Sequence, residues 1–191
     1  MSPDTGRHAD WATLPNVITM ARLVLFMPVV VGMIASRQHW IAAAILLVAY
    51  ASTDWIDGFL ARRLGQVSRL GELLDPLADR AGEMAIYATM LAVGVLPWWA
   101  VAVIVGVDLI LFAILALRTA AALDLTVTWL GKLRTVTLMA SLPLLILGQA
   151  DLAAGPALGD AGTVLLVIGS VLHVAAGVGY AVSMISNPLK D

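Results

Sequence analysis

Six long apolar stretches, separated by short polar breaks, occupy most of this chain. A helix needs about 20 apolar residues to cross a bilayer core of about 30 Å. The stretches that approach this length are residues 15–36, 40–61, 73–96, 98–118, 133–149 and 162–186. Closed β-barrels need short strands of alternating polarity, and the sequence has no such alternation. The pattern therefore predicts an all-α, polytopic membrane protein with six transmembrane helices.

The composition supports a membrane protein. Hydrophobic residues make up 61% of the 191 residues and charged residues 13%, whereas soluble domains carry roughly 45–50% apolar and about 25% charged residues. A chain of this size cannot bury so much apolar surface within itself, so lipid is the expected solvent for the excess. We predict a single membrane domain over residues 1–191, with a polar N-terminal segment at 1–14.

Several classes of protein are disfavoured by composition alone. The chain has no cysteine, so neither a disulfide framework nor a thiolate metal site is available. The polar, acidic N-terminus does not resemble a cleaved signal peptide. A net charge of −2 gives no support to nucleic-acid binding, and we expect no nucleic-acid partner.

The distribution of basic residues predicts the orientation in the membrane. If both termini are cytoplasmic, the inward-facing loops hold Arg62, Arg63, Arg69, Arg118, Lys132 and Arg134. The outward-facing loops hold only Arg37. Cytoplasmic loops carry an excess of Lys and Arg, so both termini are predicted to face the cytoplasm. Tryptophans near the predicted helix ends are typical of an interfacial belt.

Two acidic stripes stand out within the apolar segments. Residues three or four apart on a helix share a face. One stripe lies on the second predicted helix and consists of Asp54, Asp57, Gly58 and Ala61. The other lies on the third and consists of Gly71, Asp75 and Asp79. Because a short basic turn joins these helices, we expect the four carboxylates to converge near the cytoplasmic surface.

Such a cluster needs a counter-charge. An aspartate at the bilayer centre costs about 2.5–3.5 kcal/mol on insertion scales, and mutual repulsion adds to that. Hard divalent cations bind carboxylate oxygens, so two Mg²⁺ or Mn²⁺ ions would offset both terms. The small residues of the stripes leave room for a phosphate-bearing substrate, although close helix packing explains each of them singly as well.

The spacing of these residues resembles a known signature. The pattern D-x2-D-G-x2-A-R-x8-G-x3-D-x3-D from Asp54 to Asp79 is similar to that of the CDP-alcohol phosphotransferases. The resemblance extends to Leu14-Pro15-Asn16 with Thr19 and Arg22, and to the segment from Trp129 to Thr135. It therefore covers most of the chain.

The resemblance implies a two-metal phosphatidyl transfer with release of CMP. Asp54, Asp57, Asp75 and Asp79 would hold the metals that bridge the pyrophosphate of CDP-diacylglycerol. Asp79 would also act as the general base towards the acceptor hydroxyl. The implied nucleotide-binding residues are Asp54, Gly58, Ala61, Arg62 and Gly71. The resemblance further implies a homodimer.

The acceptor alcohol is less tightly constrained. Arg118, Lys132 and Arg134 lie at predicted inner helix ends and could bind a phosphorylated alcohol, or could serve only as positive-inside anchors. The branch most similar to this chain makes phosphatidylglycerophosphate or cardiolipin, which implies glycerol 3-phosphate or phosphatidylglycerol as acceptor. Relatives commonly carry an Arg-acid pair in the fourth helix, where this chain has Val107-Asp108.

Other polar residues within the apolar segments have simpler explanations. Asp108 is a functional candidate by its position, or is neutralised by Arg118 or Arg22. Glu83 continues the Asp75–Asp79 spacing, but an ion pair with Arg80 is expected.

His173 is predicted to be a hydrogen-bonded core residue rather than a ligand. Asn16 and Arg22 could reach the nucleotide, or could cap and anchor the first helix.

The leading hypothesis is a phosphatidyltransferase of the inner or plasma membrane, with its active site facing the cytoplasm. One alternative is a divalent-cation transporter, because intramembrane acids often mark ion paths. A second is an enzyme of the same family that uses another acceptor, such as inositol phosphate. A third is a non-catalytic family member that serves as an assembly partner.

Overall fold

The computed structural model describes residues 20–64, 69–117 and 129–186, with side chains described for 20–53, 78–114 and 129–182. Within these ranges the chain forms six α-helices, preceded by one π-helical turn, and no strand. The π turn is Arg22–Phe26, and the helices are α1 (Met27–Ser36), α2 (Trp40–Leu64), α3 (Arg69–Ala92), α4 (Trp98–Leu117), α5 (Trp129–Leu147) and α6 (Gly155–Ser186). The predicted all-α class is confirmed.

Each helix coincides with one of the six predicted stretches. Two are long and apolar enough to cross a membrane, namely Trp129–Leu147 and the part of α6 from Gly155 to Val182. Shorter apolar helices occur at Arg22–Ser36, Trp40–Thr53 and Trp98–Ile114. The predicted number of spans and the cytoplasmic termini stay predictions, as does the single domain.

The described residues form two compact units, the first ending at Val93 and the second beginning at Gly94. In the first unit, α1 packs against both α2 and α3. Val30 and Ile34 of α1, Leu47 of α2 and Met90 of α3 are buried. The first helix therefore contacts both of the helices that carry the acidic motif.

The start of the first helix departs from α-helical geometry. The backbone N–H of Met27 donates to the carbonyl of Arg22, five residues earlier, which is the spacing of a π turn. Pro28 follows at once. A proline ring crowds the carbonyl four residues before it and lacks an N–H, so a wider turn here is a local accommodation. The π turn begins at Arg22, whose side chain is buried.

In the second unit, α6 packs along α5 and also contacts α4. A Cβ on Gly148 would lie 2.6 Å from the Cα of Gly159, so the end of α5 and the first turns of α6 approach at backbone distance. The sixth predicted stretch starts at residue 162, but α6 already begins at Gly155. Pro156 is compatible with a first helical turn, where its missing N–H would have no partner in any case. The glycines and proline of this stretch thus serve helix packing.

Candidate active site

The two predicted acidic stripes lie on helices. Asp54 and Asp57 lie near the end of α2, and Asp75 and Asp79 lie in the first half of α3. Of these four, only Asp79 has a described side chain. The convergence of the four carboxylates therefore stays a prediction. The same holds for the nucleotide-binding set of Asp54, Gly58, Ala61, Arg62 and Gly71, whose side chains lie outside the described ranges.

Asp79 forms an ion pair with Arg22. The Arg22 Nη2 donates to Asp79 Oδ1, which joins the start of the first helix to the motif helix α3. The Arg22 side chain is only 4% exposed, whereas that of Asp79 is 44% exposed. The guanidinium is therefore shielded from solvent, whereas part of the Asp79 carboxylate remains accessible. This pair is not predictable from the sequence, because Arg22 by itself resembles a nucleotide contact or a helix anchor.

A pair of aromatic residues lies beside the guanidinium. The Cζ of Arg22 lies 5.5 Å from the centroid of the Tyr50 ring, within the range of a cation–π contact. The rings of Tyr50 and Phe26 meet edge to face, with centroids 5.7 Å apart and planes at 74°. A Cβ on Gly82 would lie 2.2 Å from the Tyr50 hydroxyl oxygen, so glycine at 82 leaves room for the tyrosine. Arg22 is therefore fixed by residues of the π turn, α2 and α3 together.

Glu83, one turn beyond Asp79, has partners on its own helix. Arg80 Nη1 donates to Glu83 Oε2 at 3.1 Å, and the Tyr87 hydroxyl donates to Glu83 Oε1 at 2.7 Å. The predicted Glu83–Arg80 pair is confirmed. Both carboxylate oxygens of Glu83 are thus hydrogen-bonded along α3.

The donor chemistry of the motif fits a hard divalent cation. Among the side chains that the structure describes, no three His, Cys, Asp or Glu are grouped to hold a metal. Three of the four motif aspartates lie outside that set. All four offer carboxylate oxygens, the ligands that Mg²⁺ and Mn²⁺ prefer. Asp79, the one that is described, is accessible to a cation.

The predicted acceptor-binding residues are described in part. Lys132 lies in the first turn of α5 and is exposed, with its Nζ 6.0 Å from the centroid of the Trp129 ring. Arg134 is half-buried two residues later. Arg118 lies outside the described residues. The start of α5 therefore presents a lysine and a tryptophan at the surface, which suits an anionic, amphipathic ligand.

A second polar contact joins α4 and α6. His173 is buried, and its Nε2 donates to the carbonyl of Ile104 at 3.0 Å, since a carbonyl can only accept. The same nitrogen lies 3.7 Å from Asp108 Oδ1. The prediction of His173 as a hydrogen-bonded core residue is confirmed. Asp108 has a neighbour, His173, that the sequence analysis does not anticipate.

Comparisons with known proteins agree with the motif. The profile of the CDP-alcohol phosphatidyltransferase family matches residues 12–178. A putative cardiolipin synthase of Mycobacterium tuberculosis is 35% identical over 173 residues, which cover 90% of this chain and 82% of the relative.

Two further relatives have more specific names. A cardiolipin synthase (CMP-forming) of Streptomyces coelicolor is 34% identical, with 85% of this chain and 81% of the relative covered. A CDP-diacylglycerol–glycerol-3-phosphate 3-phosphatidyltransferase of Bacillus subtilis is 32% identical, with 64% of this chain and 70% of the relative covered. The family profile spans most of the chain and includes the whole acidic motif, and on that ground the chain belongs to the CDP-alcohol phosphatidyltransferase family.

Proposed function

We propose that this protein transfers a phosphatidyl group from CDP-diacylglycerol to an alcohol and releases CMP. The observation that carries the proposal is the complete eight-position motif from Asp54 to Asp79 inside a family match over residues 12–178. The relatives are named for phosphatidyl transfer to glycerol 3-phosphate or for cardiolipin synthesis. The proposed acceptor is therefore glycerol 3-phosphate or phosphatidylglycerol.

The proposed enzyme is a multi-pass protein of the inner or plasma membrane. It has six transmembrane helices, cytoplasmic termini and an active site that faces the cytoplasm, and it acts as a homodimer. The surface of α6 supports a lipid environment, because large apolar side chains are exposed along most of its length. These side chains are Val164, Val167, Ile168, Val171, Val174, Val178 and Val182. Contiguous exposed apolar surface of this kind marks a membrane or protein interface.

In the proposed reaction, the acceptor hydroxyl oxygen attacks the phosphorus that carries the diacylglycerol. A new phosphorus–oxygen bond forms to the acceptor, and the bond from this phosphorus to CMP breaks. Asp79 accepts the hydroxyl proton. A general base must be accessible to the hydroxyl that it deprotonates, and the Asp79 side chain is 44% exposed, which supports its role.

Asp54, Asp57, Asp75 and Asp79 are proposed to hold two divalent ions, either Mg²⁺ or Mn²⁺. Members of this family depend on divalent metal. When bound, such ions polarise the phosphorus and stabilise the CMP leaving group. The support from this chain is the all-oxygen donor set and the exposed carboxylate of Asp79.

The remaining motif residues are proposed to bind the nucleotide. Gly58, Ala61 and Gly71 would leave space for it beside Asp54, and Arg62 would neutralise phosphate charge.

The acceptor phosphate is proposed to bind Arg118, Lys132 and Arg134. The support is the basic, tryptophan-flanked start of α5, where Lys132 is exposed.

The test is a panel of acceptors offered to the purified protein with CDP-diacylglycerol and Mg²⁺ or Mn²⁺. The panel contains glycerol 3-phosphate, phosphatidylglycerol, inositol phosphate and serine, and CMP and the lipid product are measured. We expect CMP release with glycerol 3-phosphate or phosphatidylglycerol. Asp79→Asn should abolish turnover, since an amide cannot accept the proton. Glu83→Gln is the matched control on the same helix, and it should stay close to wild type.

Three outcomes count against the proposal. If none of the acceptors yields CMP, while an active relative releases CMP under the same conditions, phosphatidyl transfer is rejected. A lipid product formed only from inositol phosphate would keep the family activity and change the acceptor. Metal flux into proteoliposomes without nucleotide, together with no CMP release, would favour the transporter alternative.

A further inference from the structure

The side chain of Arg22 is a buried charge that the proposed reaction does not assign. Only 4% of this side chain is exposed, and it lies at the first residue of the π turn. A buried guanidinium without a partner is strongly unfavourable, because it loses its hydration. Its ion-pair partner is Asp79, the last aspartate of the motif. The start of the first helix therefore reaches the motif directly.

The geometry around Arg22 fixes the guanidinium rather than leaving it mobile. The Tyr50 ring lies against it at 5.5 Å, and the Phe26 and Tyr50 rings meet in a T-shaped arrangement. Glycine at 82 leaves room for the Tyr50 hydroxyl. Arginine presents its donors in a rigid planar fork, so a fixed guanidinium also fixes the carboxylate that it binds. Asp79 is thereby oriented by residues of the π turn, α2 and α3.

The charge of Arg22 also acts on any cation that Asp79 binds. A guanidinium next to a ligand carboxylate competes for its oxygens and repels a divalent ion. At a separation of about 6 Å, even with the dielectric constant of water, the repulsion corresponds to about a tenfold change in affinity. Removing Arg22 also frees the Asp79 carboxylate to rotate. This loss of orientation weakens the affinity for the divalent ion by about threefold. The net effect of removing the charge is tighter metal binding.

We propose that Arg22 is a positioning residue that orients the Asp79 carboxylate and weakens divalent-ion binding at the motif, so that the carboxylate stays available to the reaction. This inference rests on the proposed function, because it takes Asp79 as metal ligand and base. The pair Arg22–Asp79 and the contact Arg22–Tyr50 carry it. The π turn that begins at Arg22 agrees with it, since such turns are frequent at functional sites.

The experiment measures Mn²⁺ binding and CMP release in the full chain carrying Arg22→Gln or Arg22→Lys. In R22Q the dissociation constant for Mn²⁺ should fall by about three- to tenfold, while kcat at saturating Mn²⁺ falls at least about tenfold. In R22K the charge remains but the planar fork is lost. The dissociation constant should then stay within about twofold of wild type, with kcat still reduced.

Arg37→Gln is the matched control, because it removes the same charge from the other end of α1. Arg37 lies about 22 Å from Arg22 along the helix, and its Nη2 donates to the carbonyl of Ala92. It should leave Mn²⁺ affinity unchanged.

An unchanged or higher dissociation constant in folded R22Q would overturn the inference, as would wild-type kcat in R22K. If R22Q does not fold, R22K decides through its kcat. If the proposed function is wrong, the wild-type chain binds Mn²⁺ but releases no CMP, so this failure is distinguishable. Failure of the Arg22 inference appears as an active wild type with an R22Q variant of equal Mn²⁺ affinity.

Discussion

Gly82→Ala tests whether the packing between α2 and α3 supports the Arg22–Asp79 pair. The added Cβ would lie 2.2 Å from the Tyr50 hydroxyl oxygen and 3.3 Å from the Tyr50 Cζ. An ordinary contact is about 3.5–4 Å, so the hydroxyl must move by more than about 1 Å. Tyr50 is buried and its ring lies against Phe26, so the ring cannot move without disturbing its neighbours.

The expected magnitude follows from three terms. Overpacking at a buried site costs about 1–3 kcal/mol. Alanine in place of glycine within a helix stabilises by about 1 kcal/mol. A weakened cation–π contact between Arg22 and Tyr50 costs about 0.5–1 kcal/mol. The net change is a loss of about 0.5–3 kcal/mol in the free energy of unfolding. For a chain of this length the midpoint of thermal unfolding should fall by about 1–12 °C.

The assay is thermal unfolding of the purified protein in detergent, followed by circular dichroism, with CMP release measured in parallel. Gly32→Ala is the matched control, because Gly32 also lies within a helix and a Cβ there meets nothing within 4 Å. Its midpoint should stay equal or rise. Turnover should fall in G82A but not in G32A. If G82A is as stable as G32A, the reasoning about Tyr50 is refuted.

Two further predictions concern the second unit. His173→Leu should lower the free energy of unfolding by about 1–3 kcal/mol, since the hydrogen bond to Ile104 is lost. Ser170→Ala should be neutral or stabilising, because its buried hydroxyl has no hydrogen-bond partner among the described residues. Thermal unfolding of both variants tests this. A His173→Leu variant that is more stable than the Ser170→Ala variant would contradict it. Lys132→Ala and Arg134→Ala should each raise the KM for glycerol 3-phosphate by about tenfold. The KM for CDP-diacylglycerol should stay unchanged in steady-state CMP release, and a rise only there would contradict the acceptor assignment.

The helices could be predicted from sequence because apolar segment length is a direct physical requirement. Every described helix overlaps a predicted stretch, including α5, which accommodates Pro143. The start of α6 could not be predicted so well. Glycine and proline between residues 151 and 160 are typical of a loop, yet Gly159 packs against Gly148 within the helix pair. Whether a glycine serves a turn or a close approach depends on a partner helix that local sequence does not reveal.

The candidate site was predictable only where its partners are close in sequence. The Glu83–Arg80 pair has a spacing of three, and the helical rule is enough to find it. Arg22 and Asp79 are 57 positions apart, so no local rule connects them. An arginine at the edge of an apolar segment is also the usual sign of membrane anchoring, which masks a role in the site.

The central claim is that aspartates of α2 and α3 share divalent ions. The most direct measurement is the number of Mn²⁺ ions bound per chain, determined by electron paramagnetic resonance for the wild type, Asp57→Asn and Asp75→Asn. We expect about two ions for the wild type. Each variant should bind less Mn²⁺, because aspartates on both helices hold the same ions. A wild-type chain that binds no Mn²⁺, or a variant on either helix that binds as much as the wild type, would contradict the account.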